Sequence, residues 1–159
     1  MELAFLCDHP DWIPTLAVWH HREWGSVIPN WPLEVCEQEL RAHTEREALP
    51  TTVIALENGQ LVGSASLIAE DLEELSDFSP WLASVYVRAD ARGRGIGRAL
   101  VAQIEAIAAG LGVKTLYLFT YNRESLYFEL GWKTLEVRPF EQLRLSIMFK
   151  RLKPARVGR

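Results

Sequence analysis

Past the middle of the chain, a glycine-rich stretch carries the residues whose types and spacing best suit a chemical role. Residues 88–98 read RADARGRGIGR, with glycine at the alternating positions 93, 95 and 97. Four arginines and one aspartate give this stretch a local charge of +3, although the formal net charge of the protein is −4. Glycine lets the backbone approach a ligand closely, and the free N–H groups at the start of a helix bind anions. We therefore predict a site for a ligand with two or three phosphate groups.

Three kinds of phosphate site compete for this stretch. A P-loop requires Gly-Lys-Ser/Thr at the start of its helix, where this chain has Gly97-Arg98-Ala99. A dinucleotide-binding turn requires G-x-G-x-x-G in the first βαβ unit, with an acid about 20 residues further on. Here the glycines alternate, and residues 106–123 contain no acid. The third kind of site binds the pyrophosphate of coenzyme A.

The glycine stretch resembles a motif of the GNAT acetyltransferase superfamily, Q/R-x-x-G-x-G/A. Arg92, Gly95 and Gly97 occupy its defining positions. The strand before the turn ends in Val-Tyr-Val at residues 85–87, which is similar to the end of the family's fourth strand.

A second motif of the same family follows in the right order. Residues 122–132, NRESLYFELGW, look like a slightly shortened form of the family's N-x-x-A-x-x-(hydrophobic)-Y-x-x-x-G-F element. Ser125 and Trp132 stand where Ala and Phe are commoner. The resemblance covers roughly residues 52–135.

The resemblance implies an α/β (α+β) fold with a twisted, mostly antiparallel mixed sheet flanked by helices. It implies a single N-acetyltransferase domain over residues 1–152, with 153–159 as a basic C-terminal tail. The implied reaction moves an acetyl group from acetyl-CoA to a primary amine, favouring a small molecule, by direct attack and without a metal. A non-catalytic acyl-CoA-binding regulatory module is the alternative.

The coenzyme site also follows from the resemblance. Pyrophosphate would lie on the N–H groups from Arg92 to Arg98, pantetheine would pair with the backbone of 85–87, and an arginine would reach the 3′-phosphate. The implied cofactor-binding residues are Val85, Tyr86, Val87, Arg92, Gly93, Arg94, Gly95, Ile96, Gly97, Arg98 and Asn122. For the 3′-phosphate the candidates are Arg88, Arg94 and Arg98, each of which is equally consistent with a solvated surface arginine. Asn122 is equally consistent with a helix cap.

Tyr127 occupies the position of the family's general-acid tyrosine. Acetyl transfer forms a tetrahedral intermediate whose oxyanion needs a backbone N–H, and the leaving thiolate needs a proton or a hydrogen bond. The alternative role for Tyr127 is that of a core aromatic beside Phe128.

The proton acceptor is harder to assign, because residues 81–87, WLASVYV, contain no carboxylate. The loop before them carries five acids, Glu70, Asp71, Glu73, Glu74 and Asp77. This loop could receive a cationic amine or relay its proton, although such a run is usually a solvated surface. We expect Asp77 to be the contact, because Ser79-Pro80-Trp81 directly after it can fix the entry into the strand.

The remaining reactive side chains favour structural roles. The histidines, His9, His20, His21 and His43, lack metal-ligand spacing, and His20 lies on an apolar helix stripe. Cys7 and Cys36 form no CxxC pair and are expected to be core residues. Trp12, Trp19, Trp24 and Trp31 could line an acceptor pocket or simply pack.

The elements that position these residues alternate between helices and strands. Strands are predicted at 3–7, 52–57, 60–69, 81–87, 115–120, 132–138 and 143–150, with the hairpin signal Asn58-Gly59 between the second and third. Helices are predicted after Asp11, Pro32, Gly95 and Asn122, with Asp11 and Asn122 as caps. The continuous apolar run 115–120 predicts a strand buried on both faces.

Size and charge limit the partners. The chain has 159 residues, 48% of them hydrophobic, which suits one soluble domain. A sequence pI near 5.6 argues against nucleic acid as a partner, although an RNA or protein contact through Arg88–Arg98 stays open. Neither a signal peptide nor a membrane span is recognisable, so we expect a cytoplasmic protein without a membrane partner. The family resemblance suggests a homodimer.

Overall fold

A computed structural model describes residues 1–155 as seven strands and four α-helices. The strands are β1 (Glu2–Phe5), β2 (Thr51–Glu57), β3 (Gln60–Ile68), β4 (Trp81–Val87), β5 (Thr115–Thr120), β6 (Lys133–Phe140) and β7 (Leu143–Arg151). The helices are α1 (Ile13–Trp24), α2 (Leu33–Ala42), α3 (Ile96–Gly110) and α4 (Glu124–Glu129). Every predicted strand and helix is present, with ends shifted by up to two residues.

All seven strands form one sheet in the order β1-β2-β3-β4-β5-β7-β6. Every neighbouring pair is antiparallel except β4 and β5, which run parallel with α3 as their crossover. The chain returns from β6 so that β7 lies between β5 and β6. The predicted mixed, mostly antiparallel sheet flanked by helices is confirmed.

Helices cover both faces of the sheet, as the alternation of side chains along β2 requires. Val53 and Ala55 pack into the core beneath α3, whereas Ile54 and Leu56 pack with α1 and α2. Gly63 allows α3 to lie close to the sheet: a Cβ there would lie 2.8 Å from Tyr86 O and 3.0 Å from Leu100 Cδ1. The helix that follows the glycine turn therefore packs closely on β3, beside the Tyr86 carbonyl of β4.

Two predicted helix caps are wrong. Trp12 precedes α1, because Pro10–Trp12 forms a 3₁₀ turn, and no side chain caps the helix in place of Asp11. Arg123, not Asn122, precedes α4. Thr120 stabilises that corner, since its Oγ1 accepts hydrogen bonds from the backbone N–H of Asn122 at 3.3 Å and of Arg123 at 2.9 Å.

The apolar run 115–120 is a strand, but it is buried on one face only. Leu116, Leu118 and Thr120 are buried, whereas Tyr117 and Phe119 are partly exposed. Aromatic side chains therefore made this face look like core in the sequence. Of the predicted basic tail, residues 156–159 lie outside the described residues. Within residues 1–155, no helix is long and apolar enough to cross a membrane.

Candidate active site

A cleft of about 910 Å³ opens between the C-terminal halves of β4 and β5. Trp81 and Tyr117 are in register at the start of these strands, and Tyr117 N–H donates to Pro80 O at 3.1 Å. Beyond that pair, residues 82–87 of one strand and 118–123 of the other line the cleft. Residues 82–87 of β4 therefore lie beyond its register pair with β5, and their contact with an extended ligand stays a prediction.

A β-bulge distorts β4 at the middle of the cleft. Ala83 is opposite Ser66 and Tyr86 is opposite Ser64, so Ser84 and Val85 together face the single residue between those two serines. Ser84 has a φ of 53°, a left-handed conformation that costs a non-glycine residue on the order of 1–3 kcal/mol. Such bulges bend a strand and redirect its peptide groups, often beside active sites. The sequence did not indicate this bulge, because serine carries no signal for a positive φ.

The glycine turn closes one end of the cleft. Gly93 and Gly95 have φ values of 80° and 83°, which only glycine adopts readily, and Gly95 directly precedes α3. The first N–H groups of α3 have no hydrogen-bond partner within the helix, and they lie at the positive end of the helix dipole, where an anion is stabilised. Of the predicted turn residues, those lining the cleft are Arg92, Gly93, Gly95, Ile96, Gly97 and Arg98.

Two arginines of the turn contact the protein itself. Arg92 Nε donates to Val87 O at 2.9 Å, and its guanidinium lies 5.8 Å from the centre of the Tyr86 ring. Arg94 donates to both carboxylate oxygens of Glu57, at 3.1 and 2.7 Å. Arg92 therefore ties the turn to β4, and Arg94 ties it to the β2–β3 hairpin.

Three arginines were predicted to contact the 3′-phosphate. Among the described residues 1–155, only Arg98 of these three lines the cleft. Its guanidinium lies 3.9 Å from Glu129 at the surface. Arg88 instead pairs with Asp90 and donates to Leu61 O. The structure adds Arg123, which the sequence analysis did not single out, to the cleft lining.

Tyr127 lines the cleft from α4, opposite the glycine turn, with only 7% of its surface exposed. Its ring packs edge-on against buried Trp132, at 6.2 Å between ring centres, and its carbonyl accepts from Trp132 N–H at 2.9 Å. Burial raises the pKa of Tyr127 to about 12, so its hydroxyl is protonated and can donate a hydrogen bond at neutral pH. Asn122 lines the same wall.

The acidic loop is divided between the cleft and the outer surface. Glu70 and Asp71 line the cleft. Burial raises the pKa of Asp71 to about 7, and the charge of Glu39 raises it further in the same direction. Asp77, the predicted contact, is exposed outside the cleft lining, and its carboxylate accepts from Arg138 at 3.3 Å.

Another wall of the cleft is formed by α1, α2 and the segment between them. Trp24 and Trp31 line it, and Trp31 Nε1 donates to Glu39 Oε2 at 3.0 Å. Trp19 instead packs on Tyr86 with 5.6 Å between ring centres. Glu23 also lines this wall, so two carboxylates, those of Glu23 and Glu39, belong to it.

Two histidines and a cysteine line the cleft in hydrogen-bonded positions. His20 Nε2 lies 2.9 Å from Ser64 Oγ, and His43 Nδ1 lies 2.9 Å from Thr52 Oγ1. Burial lowers the pKa of His20 to about 3 and also lowers that of His43, so both rings are neutral near pH 7. Burial raises the pKa of Cys36 to about 12, which keeps its thiol protonated. Cys36 is therefore poorly suited to act as a nucleophile.

Comparisons with solved structures agree with this architecture. Ribosomal-protein-alanine N-acetyltransferase from Brucella melitensis has a TM-score of 0.73 and 24% identity, over 96% of this chain and 100% of that one. An aminoglycoside 6′-N-acetyltransferase complexed with coenzyme A has a TM-score of 0.75 and 18% identity, over 99% and 100% of the two chains. The protein yncA from Salmonella typhimurium, solved with its cofactor acetyl-CoA, has a TM-score of 0.69 and 20% identity, over 100% and 98%.

Sequence comparison is more specific than these likenesses of fold. No curated protein was matched. The model of the acetyltransferase (GNAT) family matches residues 13–132, a range that includes α1 and α2, the glycine turn, Tyr127 and Trp132. The chain is a member of the GNAT acetyltransferase family.

Proposed function

We propose that this protein transfers the acetyl group of acetyl-CoA to a primary amine of a small molecule. One observation carries the proposal: the glycine turn, the free edge of β4 and the buried hydroxyl-bearing Tyr127 line a single cleft. The pyrophosphate is proposed to bind at the start of α3, and pantetheine to pair with residues 85–87. Two of the similar structures were solved with coenzyme A or acetyl-CoA, which supports the choice of cosubstrate.

The proposed reaction is direct attack of the amine on the thioester. The amine nitrogen forms a bond to the acetyl carbon, and the carbonyl oxygen takes the negative charge, which a β4 N–H stabilises. When the intermediate collapses, the carbon–sulfur bond breaks and the sulfur leaves with the electron pair. Tyr127 donates a hydrogen bond or its proton to that sulfur, since its hydroxyl is protonated at neutral pH.

The proton of the amine is proposed to pass to Asp71. An unperturbed primary ammonium has a pKa of about 10, so it must lose a proton before it attacks. Asp71 is a cleft carboxyl whose pKa, near 7, allows it to be ionised at neutral pH and to bind a proton readily. We favour it over Asp77, which is occupied by Arg138 at the surface.

A cationic acceptor fits the charge of the cleft end beyond the thioester. Four carboxylates line the cleft, those of Glu23, Glu39, Glu70 and Asp71, together with the rings of Trp24 and Trp31. Carboxylates attract an ammonium, and tryptophan faces bind both cations and apolar groups. The presence of aminoglycoside 6′-N-acetyltransferases among the similar structures is consistent with a small-molecule amine.

The alternative function, a non-catalytic acyl-CoA-binding module, requires only the glycine turn and the edge of β4. Tyr127 and Asp71 in the same cleft favour the enzyme, because a binding module needs neither a proton donor nor a proton acceptor beside the thioester.

A free-thiol release assay tests the proposal. Acetyl-CoA is incubated with the protein and a panel containing polyamines, aminoglycosides, neutral amines and anionic amino acids. We expect thiol release that depends on the acceptor and is fastest with a cationic amine. Binding of acetyl-CoA by calorimetry without release for any amine would favour the binding module instead.

A further inference from the structure

His20 is a buried, ionisable side chain for which the proposed chemistry has no use. It belongs to the apolar face of α1, with 1% of its surface exposed, among Leu16 and Ala17. A histidine in such a place needs a hydrogen-bonding partner, because an unpaired buried polar group is costly. Its partner is Ser64 on β3, which is itself 0% exposed, at 2.9 Å from Nε2 to Oγ.

The protons of this contact can be assigned from the next bond. Ser64 has one hydroxyl hydrogen, which it donates to the carbonyl oxygen of Ser84 at 3.1 Å. Ser64 Oγ must therefore accept from His20, so Nε2 carries the hydrogen. Because burial lowers the pKa of His20 to about 3, the ring is neutral and Nδ1 is unprotonated. A directed chain runs from His20 N–H through the Ser64 hydroxyl to the Ser84 carbonyl.

The chain ends on the residue whose backbone defines the bulge. Ser84 has the left-handed φ of 53°, and Tyr86, two residues later, is the register partner of Ser64. Aromatic packing also connects His20 on α1 with Tyr86 on β4. The ring of His20 lies 5.1 Å from that of Trp24 and 6.3 Å from that of Tyr86, between centres.

We propose that His20 and Ser64 are positioning residues, which hold the Ser84 bulge so that the β4 peptide groups point at the thioester. This inference rests on the proposed acetyl transfer. A serine with a left-handed backbone conformation persists only where its surroundings fix it. The Ser64 hydroxyl helps to fix it, because it donates a hydrogen bond to the Ser84 carbonyl in addition to the backbone hydrogen bonds of the sheet. The proposed oxyanion donor is a peptide N–H of residues 85–87, within three residues of Ser84, so a rotation at the bulge would displace it.

The test compares four variants on the best amine from the panel. Ser64→Ala removes the link, His20→Phe keeps the ring stacking without the donor, and His20→Gln keeps an N–H donor of similar reach. Thr52→Val is the matched control: it removes another buried hydroxyl on the same sheet face, one that bonds His43 and Ser66 but not β4.

We expect Ser64→Ala and His20→Phe to lower kcat about 10- to 100-fold, the range that small misplacements of reacting groups produce. The Kd for coenzyme A should change little, since the glycine turn is untouched. His20→Gln should recover most of the lost kcat, and Thr52→Val should lose stability but retain kcat. Wild-type kcat in Ser64→Ala, an equal loss in Thr52→Val, or failure of His20→Gln to recover more than His20→Phe would overturn the inference.

Nitrogen-15 NMR of the wild-type histidines provides a readout that needs neither activity nor a stable variant. We expect His20 as the neutral Nε2–H tautomer from about pH 5 to 9, well away from an ordinary imidazole titration. The Nδ1–H tautomer, or a titration in that range, would overturn the inference. If no amine supports thiol release, the proposed function fails. The positioning role is then tested by two NMR observations: the Nε2–H tautomer of His20 in the wild type, and shifted Val85 and Tyr86 amide signals in Ser64→Ala.

Discussion

At the scale of single residues, Tyr127 combines burial with access to the cleft. Tyr127→Phe removes only the hydroxyl and leaves the packing against Trp132 in place. We expect kcat to fall about 10²- to 10⁴-fold, the usual contribution of a general acid, with little change in the Kd of acetyl-CoA. Steady-state kinetics and calorimetry check this outcome. Full turnover in the variant, where chemistry limits the rate, would reduce Tyr127 to a core aromatic.

Asp71 gives the reaction a pH dependence with a definite sign. The base acts in its ionised form, and burial raises the pKa of Asp71 to about 7, so kcat/KM should rise as pH increases through about 7. Asp71→Asn should lower kcat/KM and abolish that ascending limb. Asp77→Asn provides the comparison, and we expect it to change kcat/KM less than Asp71→Asn does. An unchanged limb in Asp71→Asn, or a larger effect at Asp77, would restore the prediction made from the sequence.

The raised pKa of Asp71 also affects stability. Between about pH 4 and pH 7 the folded protein keeps a proton on Asp71 that the unfolded chain has lost, so its contribution to the free energy of unfolding decreases as pH rises. Above about pH 7 the ionised, partly buried carboxylate leaves the fold less stable than an amide would. Asp71→Asn should therefore melt at a higher temperature than the wild type at pH 8, which thermal unfolding measures.

At the scale of elements, Gly95 and Gly97 at the start of α3 differ in how much an added side chain would disturb the fold. Gly95 has a φ of 83°, so any side chain there strains the backbone itself. Gly97 is different: an added Cβ would meet only Val87 Cγ2, at an ordinary 3.5 Å. Gly97→Val should therefore fold, while its branched side chain crowds the pyrophosphate. We expect the Kd of acetyl-CoA to rise at least about tenfold, or about 1.4 kcal/mol. A folded variant with wild-type affinity would exclude a phosphate role for this end of α3.

Most elements could be predicted because periodicity and glycine positions are local signals. The order of the sheet and the identity of the parallel β4–β5 pair were not predicted, since strand pairing is not a local property, and the family resemblance implied only a mixed, mostly antiparallel sheet. The bulge at Ser84 and the Thr120 bonds at the start of α4 were missed, because neither serine nor threonine marks such backbone geometry. Asp11 and Asn122 were natural caps by type, yet neighbouring turns determined where the helices begin.

The motifs indicated which backbone segments line the cleft, whereas the directions of individual side chains could not be predicted; the roles of the site residues stay predictions. The glycine turn, residues 85–87 and Tyr127 all line one cleft, as their motifs indicated. Arg94 donates a hydrogen bond to Glu57, and Asp77 accepts one from Arg138. Both choices are long-range pairings that one sequence does not reveal. Asp71 differs from the exposed acids of its loop in being partly buried, which is likewise a property of the folded chain.

At the scale of the whole molecule, the cleft separates charge along its length. Arg92 and Arg98 line it from the glycine turn and the start of α3, Arg123 lines it just before α4, and the four carboxylates line it from α1, α2 and the loop after β3. Such a division draws phosphates and an ammonium to opposite ends. The homodimer, the cytoplasmic location and the absence of nucleic-acid and membrane partners stay predictions from the sequence.

The charge division predicts a dependence on ionic strength. Raising salt from low ionic strength to about 1 M shortens the screening length from tens of ångströms to about 3 Å, so the KM of a cationic acceptor should rise. A neutral amine of similar shape is the matched control, and its KM should respond less. Equal salt dependence of both acceptors, or a best substrate that is anionic, would contradict the assignment of the acidic end to the amine.

The central claim is that the cleft between β4 and β5 moves an acetyl group intact from coenzyme A to an amine. The most direct measurement supplies acetyl-CoA carrying ¹³C in the acetyl group, together with the best cationic amine, and quantifies every product by mass spectrometry. The account predicts one labelled N-acetyl amine for each free coenzyme A released, with both products strongly reduced in Tyr127→Phe. Free coenzyme A accompanied by labelled acetate instead of acetylated amine, or no turnover although acetyl-CoA binds, would contradict it.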